Sequence, residues 1–175
     1  MLKFATSAAL LLTASMVHAE TVEIYAIDLL DNTQNGYCID ISGGQGAQAD
    51  PANGVQGHTC YSPSGEIFVD QGFDSEGFAE GVLYMPEFDV CVEVAGMEAG
   101  SAIGLAECDG SAEQTFAFSG DGTITPANAA DMCLTLGEDT RSGRSDTNQI
   151  KALSLEACSE DSTAYQTWSH RTAGD

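Results

Sequence analysis

Tyr37-Cys38-Ile39-Asp40-Ile41, Val90-Cys91-Val92-Glu93-Val94 and Met132-Cys133-Leu134-Thr135-Leu136 are three versions of one pattern, a cysteine set among apolar residues at every second position. A period of two is that of a β-strand. It places Tyr37, Ile39 and Ile41 on one face and Cys38 and Asp40 on the other, as in a half-buried strand. Some 17 to 25 residues after each first cysteine comes a second one, Cys60, Cys108 or Cys158. A Gln-x-aromatic triplet then closes each unit: Gln71-Gly72-Phe73, Gln114-Thr115-Phe116 and Gln166-Thr167-Trp168. The same order occurs three times, the mark of a repeat architecture.

Upstream of each first cysteine lies another β-rich patch, Val22 to Ile27, Val82 to Met85 and Thr123 to Thr125. This predicts about four short strands per repeat and about twelve in all, with little helical periodicity. The repeats run over about 20–78, 79–120 and 121–172. Three copies of four strands suggest a closed, threefold all-β body, and closure removes exposed sheet edges.

Residues 1–19 read as a signal peptide, with an early cation at Lys3, an apolar run from Ala8 to Val17 and a small-residue exit at Val17-His18-Ala19. Nothing later approaches the roughly 20 apolar residues of a transmembrane helix. The expectation is one domain over residues 20–175, exported to a periplasm or the extracellular medium, with no membrane insertion. The bare signal peptide favours a bacterial source.

Loss of Lys3 leaves Arg141, Arg144, Lys151 and Arg171 against 27 carboxylates. A surface this acidic repels phosphate backbones, anionic lipid and sulfated polysaccharides, so nucleic acid is excluded as a partner. The plain reading of the charge is solubility. Six cysteines in an exported chain imply disulfides, and the sequence alone leaves 15 pairings open.

Cys-x-Asp, a spaced cysteine and Gln-x-Trp or Gln-x-Phe, repeated three times across residues 20–175, resemble the ricin B-chain-type β-trefoil lectin domain. The resemblance implies an all-β trefoil of three four-stranded repeats. It also implies one bridge within each repeat: Cys38–Cys60, Cys91–Cys108 and Cys133–Cys158. Each bridge would close a loop of about 20 residues, worth roughly 3 kcal/mol on chain-entropy grounds. For Phe73, Phe116 and Trp168 the expected role is the core, one ring per repeat, with the neighbouring Gln amide tying loop backbone.

The resemblance further implies a sugar site in the first repeat, made by Asp40, Gln56, His58 at the stacking position, Asp70 and Gln71. A pyranose offers C–H groups to a ring and vicinal hydroxyls to carboxylates and amides. His58 stands where a larger ring is usual and Asp70 where Asn is common, so the affinity expected for one neutral sugar, galactose or a relative, is weak, on the order of millimolar. The second repeat has Glu93, Gly104 and Ala106 at the matching positions and the third has Thr135, Ser154 and Glu156. Both lack a stacking ring and read as scaffold. Plainer roles stay open in the first repeat: Asp40 can cap a turn, and His58 can be an ordinary surface histidine. If His58 binds, its protonated ring would be a counter-charge between Asp40 and Asp70, and its neutral ring a face with one donor.

No catalytic constellation stands out. Every cysteine after residue 19 has an implied partner, His58 and His170 are the candidate imidazoles, and no nucleophile elbow, phosphate loop or metal-ligand spacing occurs. No enzyme activity, cofactor or metal is expected. Asp109-Gly110-Ser111 and Asp121-Gly122-Thr123 read as acidic turns rather than calcium ligands, since EF-hand spacing is missing. The rival to a lectin is a secreted trefoil used for protein contacts, as an inhibitor or envelope-associated subunit. Ser42 to Gly54 and Gly137 to Gln149 read as polar, Gly-rich loops suited to forming a rim. Arg141 and Arg144 in the latter are expected to pair with Glu138 and Asp139, worth under about 1 kcal/mol at a surface.

Overall fold

A computed structural model describes residues 20–173; the expected signal peptide lies outside the described residues. The first repeat forms β1 (Thr21–Ala26), β2 (Tyr37–Ile41), β3 (Val55–Thr59) and β4 (Phe73–Asp74). The second forms β5 (Tyr84–Met85), β6 (Val90–Val94), β7 (Ser101–Ala106) and β8 (Phe116–Ala117). In the third, the first strand is divided into β9 (Asp121–Gly122) and β10 (Thr125–Pro126), followed by β11 (Met132–Ser142), β12 (Gln149–Ala157), the single helical turn α1 (Thr163–Gln166) and β13 (Trp168–Arg171). The divided strand accounts for thirteen strands among the described residues where about twelve were expected.

Each cysteine-bearing strand pairs antiparallel with the next: β2 with β3, β6 with β7 and β11 with β12. The repeats are joined through β12, which pairs with β3 of the first (Ile150 opposite His58) and β7 of the second (Ser154 opposite Ala102). The chain ends close on each other where β1 pairs with β13, Ile24 opposite His170. His170 is thus part of a strand, with Nδ1 2.7 Å from the Gly120 carbonyl oxygen.

All five residues of β2 are buried, which differs from the half-buried strand that alternation predicts. The second face is covered because Cys38 is bridged to Cys60 and Asp40 is enclosed by the amides of Gln56 and Gln71. The other bridges are Cys91–Cys108 and Cys133–Cys158, so each lies within its own repeat. Phe73, Phe116 and Trp168 are buried in one core with Ile24, Leu83, Ile124 and Leu134. The Trp168 indole N–H is satisfied by the Leu134 carbonyl at 3.0 Å, as a buried indole requires.

The three glutamines of the triplets make one clamp three times over. Gln71 Nε2 donates to the Thr59 carbonyl (3.1 Å) and to Asp40 Oδ2 (3.0 Å), while its Oε1 accepts from the Tyr61 amide (3.3 Å). Gln114 does the same with the Glu107 carbonyl (2.9 Å), Glu93 Oε2 (3.1 Å) and the Asp109 amide (2.9 Å). Gln166 repeats it with the Ala157 carbonyl (2.9 Å), Thr135 Oγ1 (3.0 Å) and the Ser159 amide (2.9 Å). Each side chain therefore satisfies the backbone on either side of the second cysteine and holds the residue two places after the first. Truncation strands buried partners, at about 1–3 kcal/mol for each unsatisfied group. Gln114→Ala, in a repeat with no candidate ligand residues, is expected to lower the unfolding free energy by about 3 kcal/mol in urea denaturation. A loss below about 0.5 kcal/mol would mean that the clamp carries no stability.

Candidate functional site

The β2–β3 hairpin sets Asp40 opposite Gln56 and Cys38 opposite His58. Gln56 Nε2 donates to Asp40 Oδ1 at 2.9 Å, and Gln71 occupies Oδ2, so both carboxylate oxygens are engaged by amides. Asp40 is only 2% exposed. Asp70 is fully buried beside it; its Oδ2 accepts from the Gly46 amide at 2.7 Å, and its buried Oδ1 has no hydrogen-bond partner among the described residues. Gly46 has φ of +58°, a conformation open to glycine, and this brings the 42–54 segment over Asp70. That segment is not a featureless loop: it contains two 3-10 turns, Gly46–Gln48 and Pro51–Asn53, the second capped by Asp50 through the Ala52 amide.

The fold thus gathers the five expected residues into one lobe, in two layers. Asp40, Asp70 and Gln71 form a buried support. Gln56 and His58, two residues apart on β3, reach a surface cleft of about 160 Å³ that is also bordered by Gly43 to Gln45, Tyr61, Arg141 and Arg144. This is well below the roughly 300–1,000 Å³ of pockets for drug-sized ligands and suits one small ring. His58 is not an ordinary surface histidine: it is 7% exposed, and Nδ1 lies 3.0 Å from the Thr59 carbonyl. A carbonyl can only accept, so the neutral ring carries its proton on Nδ1 and keeps Nε2 as an acceptor.

Tyr61 is the aromatic group that sequence reading missed. Its ring lies 5.4 Å from that of His58 and packs edge-on against Phe68 at 4.5 Å. The signal was its place directly after the second cysteine, where the other repeats have Asp109 and Ser159.

The far wall of the cleft comes from the third repeat. Gly137 to Gln149 does not form a loop as expected; β11 and β12 continue as a hairpin past an irregularity, with Thr140 opposite Lys151 and Arg141 opposite Ile150. Two contacts pin this arm to the first repeat. Thr59 Oγ1 meets the Thr147 carbonyl (3.0 Å) and the Gln149 amide (2.9 Å). Lys151, 2% exposed, donates to the Glu138 carbonyl (2.8 Å), pairs with Asp31 (3.3 Å) and lies 5.3 Å from the centre of the Tyr37 ring. Arg141 consequently donates to Gln56 Oε1 at 2.9 Å. The expected pairing of Arg141 and Arg144 with Glu138 and Asp139 is not formed among the described residues, because the hairpin register directs Arg141 across the cleft.

Burial governs the titrating groups. It pushes the Asp40 carboxyl up to about 7, against the Gln56 and Gln71 amides and with help from the neighbouring Asp70 charge. Asp70 is raised by burial as well. His58 is lowered by burial, with Arg141 adding to the effect. Asp31 moves the other way: its hydrogen bonds to Thr140, Tyr37 and Lys151 outweigh burial and hold it at about 2.

The matching positions of the other lobes carry no ring. Glu93 faces Gly104, which has no side chain, and is engaged by Gln114. Thr135 faces Ser154, whose hydroxyl donates to Glu156 at 2.8 Å. The grouping of metal-type ligands among the described residues, Glu23 with Cys38 and Cys60, uses sulfurs already joined in a disulfide.

The family described as the ricin-type beta-trefoil lectin domain matches residues 79–175, which cover the second and third repeats and more than half of the chain. No curated protein sequence matches this chain. Among solved structures, the earthworm R-type lectin C-half in complex with GalNAc is similar at 15% identity and a TM-score of 0.57, over 87% of this chain and 98% of that one. The Macrolepiota procera ricin B-like lectin in complex with lactose is similar at 17% identity and 0.57, over 91% and 99%. Agglutinin from Abrus precatorius gives 15% and 0.58, over 93% and 51%. At such identities these likenesses speak for the trefoil fold, and the family match adds its kind. The chain belongs to the ricin-type β-trefoil lectin domain family, a non-catalytic carbohydrate-binding fold.

Proposed function

We propose that the protein is an exported lectin-like module of one domain over residues 20–175 that binds a single sugar ring of a glycan, galactose or a related neutral pyranose, in the first lobe. The observation that carries this reading is the cleft in which Gln56, His58 and Tyr61 meet. Tyr61 supplies a ring for the C–H face of a pyranose, His58 Nε2 accepts from a hydroxyl, and Gln56 adds an amide whose position is held from behind by Asp40. Asp40, Asp70 and Gln71 act on the ligand through this support. Export agrees with three disulfides. No helix among the described residues is long and apolar enough to cross a membrane.

A small, open cleft with one ring predicts dissociation constants on the order of 1 mM for a monosaccharide. On a multivalent glycan array, His58→Ala and Tyr61→Ala should each weaken binding at least tenfold while unfolding remains cooperative. Binding retained by both variants would remove the first-lobe assignment.

The buried carboxyl behind the cleft leaves its own signature. Asp40 titrates near 7 when folded and near 3.9 when unfolded. Between those values the unfolded chain binds fewer protons, so this contribution to stability is present below about pH 4 and lost as the pH rises through about 7. Burial of neutral His58 has the opposite sign, contributing above its unfolded value of about 6.5 and fading on acidification. The melting temperature of the wild type minus that of Asp40→Asn should therefore be more positive at pH 4.5 than at pH 8, by several degrees. A difference independent of pH would show that Asp40 is ionised throughout.

A further inference from the structure

The four cations among the described residues divide into two kinds. Lys151 and Arg171 are committed to the fold, by Asp31 and Glu23 respectively. Arg141 and Arg144 lie at the exposed end of the β11–β12 hairpin, both border the cleft, and neither pairs with a carboxylate among the described residues. In a chain with 27 acidic residues, two unneutralised guanidinium groups meeting at one small cleft form the local exception to an acidic surface.

Arg141 is held there. Its Nη2 donates to Gln56 Oε1, and Gln56 passes the link on to Asp40, which orders one edge of the guanidinium and leaves further N–H donors for a ligand. A guanidinium fork matches the two oxygens of a carboxylate, and such charge-assisted bonds are about twice as strong as neutral ones. Burial shifts both Asp40 and Asp70 toward their protonated forms, which weakens the repulsion that the carboxylates behind the cleft offer to an anion. More distant surface carboxylates are screened over about 8 Å at physiological ionic strength.

We propose that the first-lobe cleft recognises an acidic sugar, the ring lying on Tyr61 and His58 and its carboxylate meeting Arg141 and Arg144 of the third repeat. The inference rests on the first-lobe reading and deepens it: the favoured ring is a uronic acid, which differs from the neutral hexose by a carboxylate in place of the C6 alcohol. The selecting charge comes from a different repeat than the residues that seat the ring, so specificity depends on how the hairpin packs across the first lobe.

The test uses residues 20–175 in titration calorimetry with methyl galactoside, methyl galacturonoside and sodium sulfate. The galacturonoside is expected to bind about tenfold more tightly than the galactoside at low salt. Arg141→Gln and Arg144→Gln should each bring that ratio toward one; Arg144 makes no ion pair among the described residues, so its variant also guards against a folding artefact. Equal affinity for the two sugars in the wild type overturns the acidic-sugar inference and leaves the first-lobe reading standing. Binding of neither sugar overturns both. Displacement of the galacturonoside by equimolar sulfate, or its undiminished binding to Tyr61→Ala, would reveal a simple anion site and overturn the inference.

Discussion

The structure depends first on the glutamine clamp. Each repeat has to bend its chain at the second cysteine, and a bend leaves backbone groups without partners in a sheet ladder. Gln71, Gln114 and Gln166 satisfy a carbonyl and an amide on either side of that bend and reach the residue two places after the first cysteine. The adjoining disulfide fixes the same two segments covalently, and the aromatic two residues on enters the common core. Amide, bridge and ring act on the same short stretch, which explains why they recur together.

The clamp also explains what became of Asp40. In all three lobes its position serves as an acceptor for the clamp, whether the residue is Asp40, Glu93 or Thr135. A carboxylate there performs scaffold work first. In the first lobe Gln56 takes its other oxygen and carries the link out to the cleft. The buried support and the cleft surface are separate layers, and the support tolerates Asp, Glu or Thr at its acceptor position while the rings of His58 and Tyr61 in the outer layer occur in the first lobe.

Much of this was legible in the chain. Alternation about each first cysteine located the central hairpins, since a period of two admits few other structures, and the triplets pointed to one core ring per repeat. The five first-lobe residues were identified as a group, yet their depths were not. Nothing local says that a 3-10 turn at Gly46 will cover Asp70, or that the amides of Gln56 and Gln71 will enclose Asp40. The segment Gly137 to Gln149 read as a loop on its glycines and polar residues, whereas it pairs as a hairpin because Thr59, Asp31 and Tyr37 of another repeat receive it. Lys151 illustrates the same limit: a lone lysine on a strand reads as surface, and only the meeting of two repeats adds the Asp31 carboxylate and the Tyr37 ring to the Glu138 carbonyl of its own hairpin and makes its burial tolerable.

By itself, the sequence determined the repeat, the strands and the residues of the core, because these follow from periodicity and from the local demands of a backbone that must be satisfied. Tertiary structure decided which polar groups line the cleft. It placed Tyr61 beside His58, withdrew Asp40 and Asp70 behind the surface, and brought Arg141 from the third repeat to Gln56 in the first. The physical reason is that exposure, desolvation and the sign of the field in a cleft are set by neighbours distant in the chain, and a sequence pattern holds no record of those distances.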